Sequence, residues 1–163
     1  VIDLRPDVLS VFVGTKDAER HLGRLLRADD PKTVPDFDFA DWERTYRGLL
    51  DQARQANPAL KIVLCTPFAA PCGKIVEGAL GEYYPLRQRI LAQCCVIVER
   101  IAADYGATLV PFHRLIADLE TRLPNGDATY WVWDGIHPTP AGQRLMADCW
   151  IGAAARNLSL IHI

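Results

Sequence analysis

A chain of 163 residues, half of them hydrophobic, has the apolar material for one core and lacks the composition of a disordered segment. Its 20 acidic and 18 basic side chains nearly cancel to a formal net charge of −2, and no Lys/Arg block appears. That excludes an electrostatic footprint for nucleic acid or an anionic membrane and points to a small neutral or polar substrate.

No apolar run reaches the ~18 residues that a membrane helix requires, and no signal peptide can be read. The five cysteines (Cys65, Cys72, Cys94, Cys95 and Cys149) are odd in number and contain no C-x-x-C pair. This argues against a zinc site and a complete disulfide framework, and reads as mostly buried thiols with a slight preference for a reducing, cytoplasmic compartment. Neither a metal nor an organic cofactor is expected, and the oligomeric state is left open.

In chain order, Asp7-Val8-Leu9-Ser10-Val11-Phe12-Val13 is a β-branched apolar run stopped by Gly14 and reads as a strand buried on both faces. Asp30 to Asp38, with Pro31 and Pro35, is a long polar loop placed to flank a site at the sheet's rim. Phe39 to Ala56 carries a helical stripe through Trp42, Tyr46, Leu49, Leu50 and Ala53, ending near Asn57-Pro58. Lys61 to Thr66, stopped by Pro67, is a second strand. Tyr84 to Tyr105 is a long helix stopped by Gly106, and Ala107 to Val110 is a third strand. Helices over Phe112 to Leu123 and Ala141 to Ala155, separated by a Pro124-Asn125-Gly126-Asp127 turn, complete the pattern. Alternating strands and helices predict a parallel sheet in a three-layer α/β/α sandwich with right-handed crossovers, as one domain over residues 1–157.

Open sheets of this kind bind ligands beyond the carboxyl ends of their strands. Three stretches qualify: Gly14-Thr15-Lys16-Asp17, Thr66-Pro67-Phe68, and Asp134-Gly135-Ile136-His137-Pro138. An Asp three residues before a His suits a charge-paired imidazole acting as a general base. The competing reading is a capped turn in which Asp134 only bonds backbone amides. Such a base needs a nucleophile, yet the chain has two serines: Ser10, inside the first strand pattern, and Ser159. Trp131 and Trp133 alternate around Val132, so one can face the core while Trp133 lines the rim as a substrate platform. His21 and His113 are read as structural.

These residues resemble the SGNH hydrolases, also called GDSL-type lipases and esterases. Asp134-Gly135-Ile136-His137-Pro138 is similar to the family's last block, D-x-x-H-P. Strand-Gly14-Thr15-Lys16-Asp17 is similar to its third block, a strand followed by G-x-N-D. The resemblance spans nearly all of residues 1–157 and implies a flavodoxin-like sheet and acyl transfer with His137 as base and Asp134 as its orienting acid. It also implies an oxyanion hole near Gly14 and position 16, substrate lining by Thr15 and Trp133, and a small-molecule ester substrate, short acyl or acetyl esters of carbohydrates included.

Lys16 stands where the family has an Asn donor; its longer, charged stem can fold back toward an oxyanion or extend into solvent. The family's serine and glycine blocks have no match. With Met146 as the sole methionine and a strand opening a few residues after Val1, the expectation is that the nucleophile lies on a missing N-terminal segment, and that Leu158 to Ile163 is a non-native tail. Two other readings stay open: a non-catalytic relative that binds carbohydrate or acyl ligands, and a nucleotide-binding flavodoxin-like domain. The second lacks both G-x-x-x-x-G-K-[ST] and G-x-G-x-x-G.

Overall fold

In the computed structural model, which describes residues 6–122 and 128–157, three parallel strands lie in the order β1 (Val8–Phe12), β2 (Lys61–Cys65), β3 (Thr108–Val110). Val8 pairs with Lys61 and Phe12 with Cys65, while Val63 pairs with Thr108 and Cys65 with Val110. The helices are α1 (Thr15–Arg27), α2 (Phe39–Ala56), the short α3 (Gly78–Glu82), α4 (Tyr84–Asp104), α5 (Phe112–Arg122) and α6 (Pro140–Asn157). Ser159, the suspected tail and the Pro124–Asp127 turn lie outside the described residues.

The side-chain alternation of β2 explains the layers, because successive residues of a strand point to opposite faces. Ile62 and Leu64 meet Tyr46 and Leu50 of α2 and Ile97, Val98 and Ile101 of α4 on one face. Val63 and Cys65 meet Phe112 and Ile116 of α5 and Ala153 and Ala154 of α6 on the other. The molecule is thus the expected α/β sandwich, with both faces of the central strand covered.

One expectation needs correction. β1 is not buried on both faces: it pairs with β2 alone among the described residues, Ser10 is exposed, and Phe12 and Val13 are 46% and 41% exposed. An apolar run reports what a strand can bury, whereas burial itself depends on neighbours. The stretch Gly14 to Asp17 turns straight into a helix. Helix α1 begins at Thr15 directly after Gly14, and its buried stripe is Ala18, His21, Leu22 and Leu25, at i, i+3, i+4 and i+7. The Asp30 to Asp38 loop runs beside α1, where Phe37 packs on His21.

Local signals account for most helix ends. The Asp38 carboxylate accepts from the Asp41 amide at 2.8 Å and caps α2. Pro85 lies in the first turn of α4, where its missing N–H is harmless.

Candidate active site

The three loops at the carboxyl ends of the strands are tied to one another. After β1, Gly14 takes φ 121°, and a Cβ there would come within 2.8 Å of the Pro67 ring, so the turn into α1 passes too close to the loop after β2 for any other residue. The Thr15 hydroxyl donates to the Phe68 carbonyl at 3.1 Å, joining the same two loops. Asp17 accepts from the Trp42 indole at 3.1 Å.

Asp134 and His137 sit at the tip of a small hairpin. Val132, fully buried, bridges to Pro138 in antiparallel sense; the Trp133 amide donates to the His137 carbonyl at 3.1 Å and the Thr139 amide to the Trp131 carbonyl at 2.9 Å. This pairing folds residues 134–136 into a tight turn. Thr139 then leads into α6, its hydroxyl accepting from the Gly142 amide at 3.2 Å.

Within the turn, one oxygen of Asp134 accepts from the amides of Ile136 and His137 at 3.0 and 2.7 Å. The other lies 2.7 Å from Nδ1 of His137. Burial alone would raise the Asp134 pKa, but the bonds from the His137 amide, the imidazole and the Ile136 amide outweigh it and hold the carboxyl below its ordinary range. The capped turn and the charge-paired imidazole are therefore both present, one carboxylate oxygen serving each. The Nε2 atom of His137 has no partner among the described residues, and the ring is 54% exposed. Trp133, 60% exposed, lies beside it with ring centroids 6.0 Å apart and planes inclined by 24°; Trp131 packs against the core.

A segment to which no role was given in the sequence supports this turn. The Ala70 amide donates to the Gly135 carbonyl at 2.8 Å, and the Cys72 thiol to the Val132 carbonyl at 2.9 Å. Gly73, at φ 64°, lies so close that a Cβ would stand 2.6 Å from the Asp134 Cα. The cue in the sequence was Pro71-Cys72-Gly73 itself, a turn signal on the carboxyl side of β2.

Lys16 is in the first turn of α1, 68% exposed, with its ammonium 2.5 Å from Glu19. Glu19 in turn faces Arg87, a buried guanidinium, at 3.6 Å. Ser10 does not join the site: its hydroxyl accepts from the Trp150 indole at 3.1 Å and lies 3.8 Å from the Cys65 sulfur, on the α6 side of β1. His113 is engaged by Thr66, Nδ1 to hydroxyl 2.7 Å, and His21 lies within the α1 stripe. Among the described residues, no group of three or more His, Cys, Asp or Glu side chains is placed to hold a metal ion, and no helix is long and apolar enough to cross a membrane.

The α/β sandwich, with an Asp-x-x-His turn beyond its strands, narrows the class, and the family can be stated. The chain belongs to the GDSL-like lipase/acylhydrolase family, whose model matches residues 1–145. An acetylxylan esterase of Geobacillus stearothermophilus is 29% identical over 154 residues, covering 93% of this chain and 60% of that protein. A solved structure from Parabacteroides merdae, described as a GDSL-like lipase, superposes with a TM-score of 0.76 at 26% identity, covering 94% of this chain and 62% of the other. The Geobacillus stearothermophilus acetylxylan esterase structure gives 0.70 at 24% identity, over 94% and 61%. The chain thus spans about three fifths of the relatives it matches.

Proposed function

We propose that this chain carries the acid and base of a serine-type ester hydrolase that removes short acyl groups, acetyl groups on carbohydrates foremost. The observation that carries this reading is the 2.7 Å contact between Asp134 and Nδ1 of His137, made by a carboxylate whose second oxygen is fixed by two backbone amides. With Nδ1–H donated to Asp134, the Nε2 lone pair is the basic position. In the reaction it accepts the proton of a serine hydroxyl as that oxygen attacks the ester carbonyl. In this reading the serine is not Ser10, which is engaged by Trp150. His137 then protonates the departing alcohol, and a water, deprotonated by the same nitrogen, hydrolyses the acyl-enzyme.

Trp133 gives the sugar a flat, exposed partner beside the imidazole, a surface suited to stacking a pyranose ring. A relative named an acetylxylan esterase supports a sugar ester as the substrate class. Gly14 and Lys16 stand at the oxyanion side and Thr15 at the substrate-lining rim in this reading, although Lys16 must leave Glu19 to donate there.

The test is acetate release from acetylated xylo-oligosaccharides by the whole protein. His137→Ala is expected to lower kcat by roughly a thousandfold or more with the fold retained. Full activity in that variant would return Asp134 to the role of a turn cap. The engagement of Lys16 by Glu19 favours one second reading, a relative that binds acylated sugar without turning it over. That reading predicts saturable sugar binding with no acetate released.

A further inference from the structure

Seven residues along α1 from Gly14, about 10 Å down the helix axis at ~1.5 Å per residue, His21 is only 3% exposed. Its ring meets Phe37 edge-on, centroids 5.8 Å apart, and Phe37 meets Phe39 at 4.9 Å. The Nδ1 atom of His21 has no hydrogen-bond partner among the described residues. Burial, with Arg24 nearby, lowers its pKa from the ordinary 6.5 against an opposing effect of Asp36, so the ring is neutral at pH 7. A desolvated polar nitrogen left without a partner is uncommon in a folded protein, and it marks His21 as a ring held by packing, without a hydrogen bond at that atom.

That ring lies on the wall of a groove of about 780 Å³ between α1, the stretch from Pro31 to Phe39, and α4. The volume is within the range of small-molecule sites, roughly 300–1,000 Å³. Leu25, Phe37, Phe39 and Ile90 make the lining apolar, while Lys32 and Arg89 bring two cations to it against the single carboxylate of Asp36. Neither cation lies within 4 Å of a carboxylate among the described residues, whereas Arg47, Arg100, Arg114 and Arg144 each hold one. Apolar walls, a neutral imidazole and an excess of positive charge are what a flat anion with an apolar body requires.

We propose that this groove is a binding site, separate from the Asp134–His137 hairpin, for a small aromatic carboxylate. The ligand ring packs against Phe37, Phe39 and Ile90, its carboxylate faces Lys32 and Arg89, and His21 completes the polar side. The site depends on no step of ester hydrolysis. Benzoate is the probe, and the ring protons of His21 in the full chain, followed by NMR, are the readout.

Titration to about 20 mM should give a saturable shift with Kd near 1 mM or below. Benzamide, the neutral isostere, should bind at least about tenfold more weakly, and the double variant Lys32→Gln/Arg89→Gln should lose a similar factor, a free-energy difference of about 1.4 kcal/mol. Both substituted side chains stand at the groove's edge away from the core, so the variant tests binding and not folding. No saturable shift, equal binding of benzamide, or an unchanged Kd in the double variant would each overturn the proposal.

Discussion

Asp134 performs two tasks with two oxygens, and a single substitution separates them. In Asp134→Asn the side-chain oxygen can still accept from the amides of Ile136 and His137, so the turn survives. The new NH₂ group would then face Nδ1 of His137 and donate to it, placing the ring proton on Nε2, where a general base needs a lone pair. Activity of the whole protein is expected to fall by roughly 10²–10⁴ in kcat with thermal stability nearly unchanged. Loss of the fold in this variant would show that the carboxylate's charge, and not its geometry, holds the turn.

The pair was legible because its contact is local: an i, i+3 spacing across a tight turn brings the two side chains together whatever the sheet does. Lys16 was legible only as a departure from a pattern, since its Glu19 partner depends on a helix that begins at Thr15. Ser10 was read as sealed inside the sheet; it is exposed and engaged by Trp150, 140 residues away in sequence.

At the scale of elements, the hairpin Trp131–Thr139 rests on the Ala70–Ile75 stretch, and Gly73 is the tightest point of that contact. Gly73→Ala forces backbone atoms apart at Asp134 and strains a residue at positive φ. Its expected outcome is a loss of at least about tenfold in kcat/KM and of roughly 1–3 kcal/mol in stability, read by esterase assay and chemical denaturation. Unchanged values for both would mean that the hairpin can rise without moving its carboxylate relative to the substrate.

In the sequence this support showed only as a turn signal at Pro71-Cys72-Gly73, with nothing to say what the turn meets, because residues some sixty positions apart come together only when β2 and α6 are in place. Helices α2 and α4 were read nearly to the residue, since the Asp38 cap, Asn57-Pro58 and Gly106 are local stops. Helix α1 was not among the predicted elements although its Ala18, Leu22, Leu25 spacing was present, because four buried positions on an otherwise polar helix make a weak stripe. The missing pairing on one side of β1 has no local signature.

For the molecule as a whole, two histidines, His21 buried and His113 partly buried, set the response to acid. Burial lowers the pKa of His113 and of His21 from 6.5. A base whose folded pKa is depressed favours the fold fully above its unfolded value, and that contribution is lost as pH falls through the folded pKa. The thermal midpoint should therefore be flat down to about pH 6.5 and decline below it. Asp134, also depressed, adds a loss below about 3.8, whereas Glu120, raised by burial, acts in the opposite direction near 4.5. A midpoint that climbs between pH 7 and 5.5 would contradict the assignment, and His113→Asn should flatten part of the decline.

The cysteines give an independent measure of core integrity. Burial pushes Cys94 and Cys95 up to about 12 and Cys65 up to about 11, so little thiolate exists near neutrality. Iodoacetamide at pH 8 is expected to leave these three unmodified in the native chain and to reach all five after unfolding, as counted by intact mass. Rapid native alkylation of Cys94 would mean that the layer between α1 and α4 opens on the timescale of the reaction.

Because the proposed acid and base, Asp134 and His137, hang from one hairpin, their relative position is a property of nine residues and not of the sheet beneath. Sliding of β1 against β2, or breathing of the α1 flank, moves both groups together and leaves their separation intact. In the proposed reading, substrate preference can therefore drift through the neighbouring segments, the start of α1 at Gly14–Asp17 and the Thr66–Phe68 loop, without retuning the Asp134–His137 pair. The same economy concentrates risk: a proteolytic nick at the exposed turn around Trp133 would abolish both functions at once while the sandwich stayed folded.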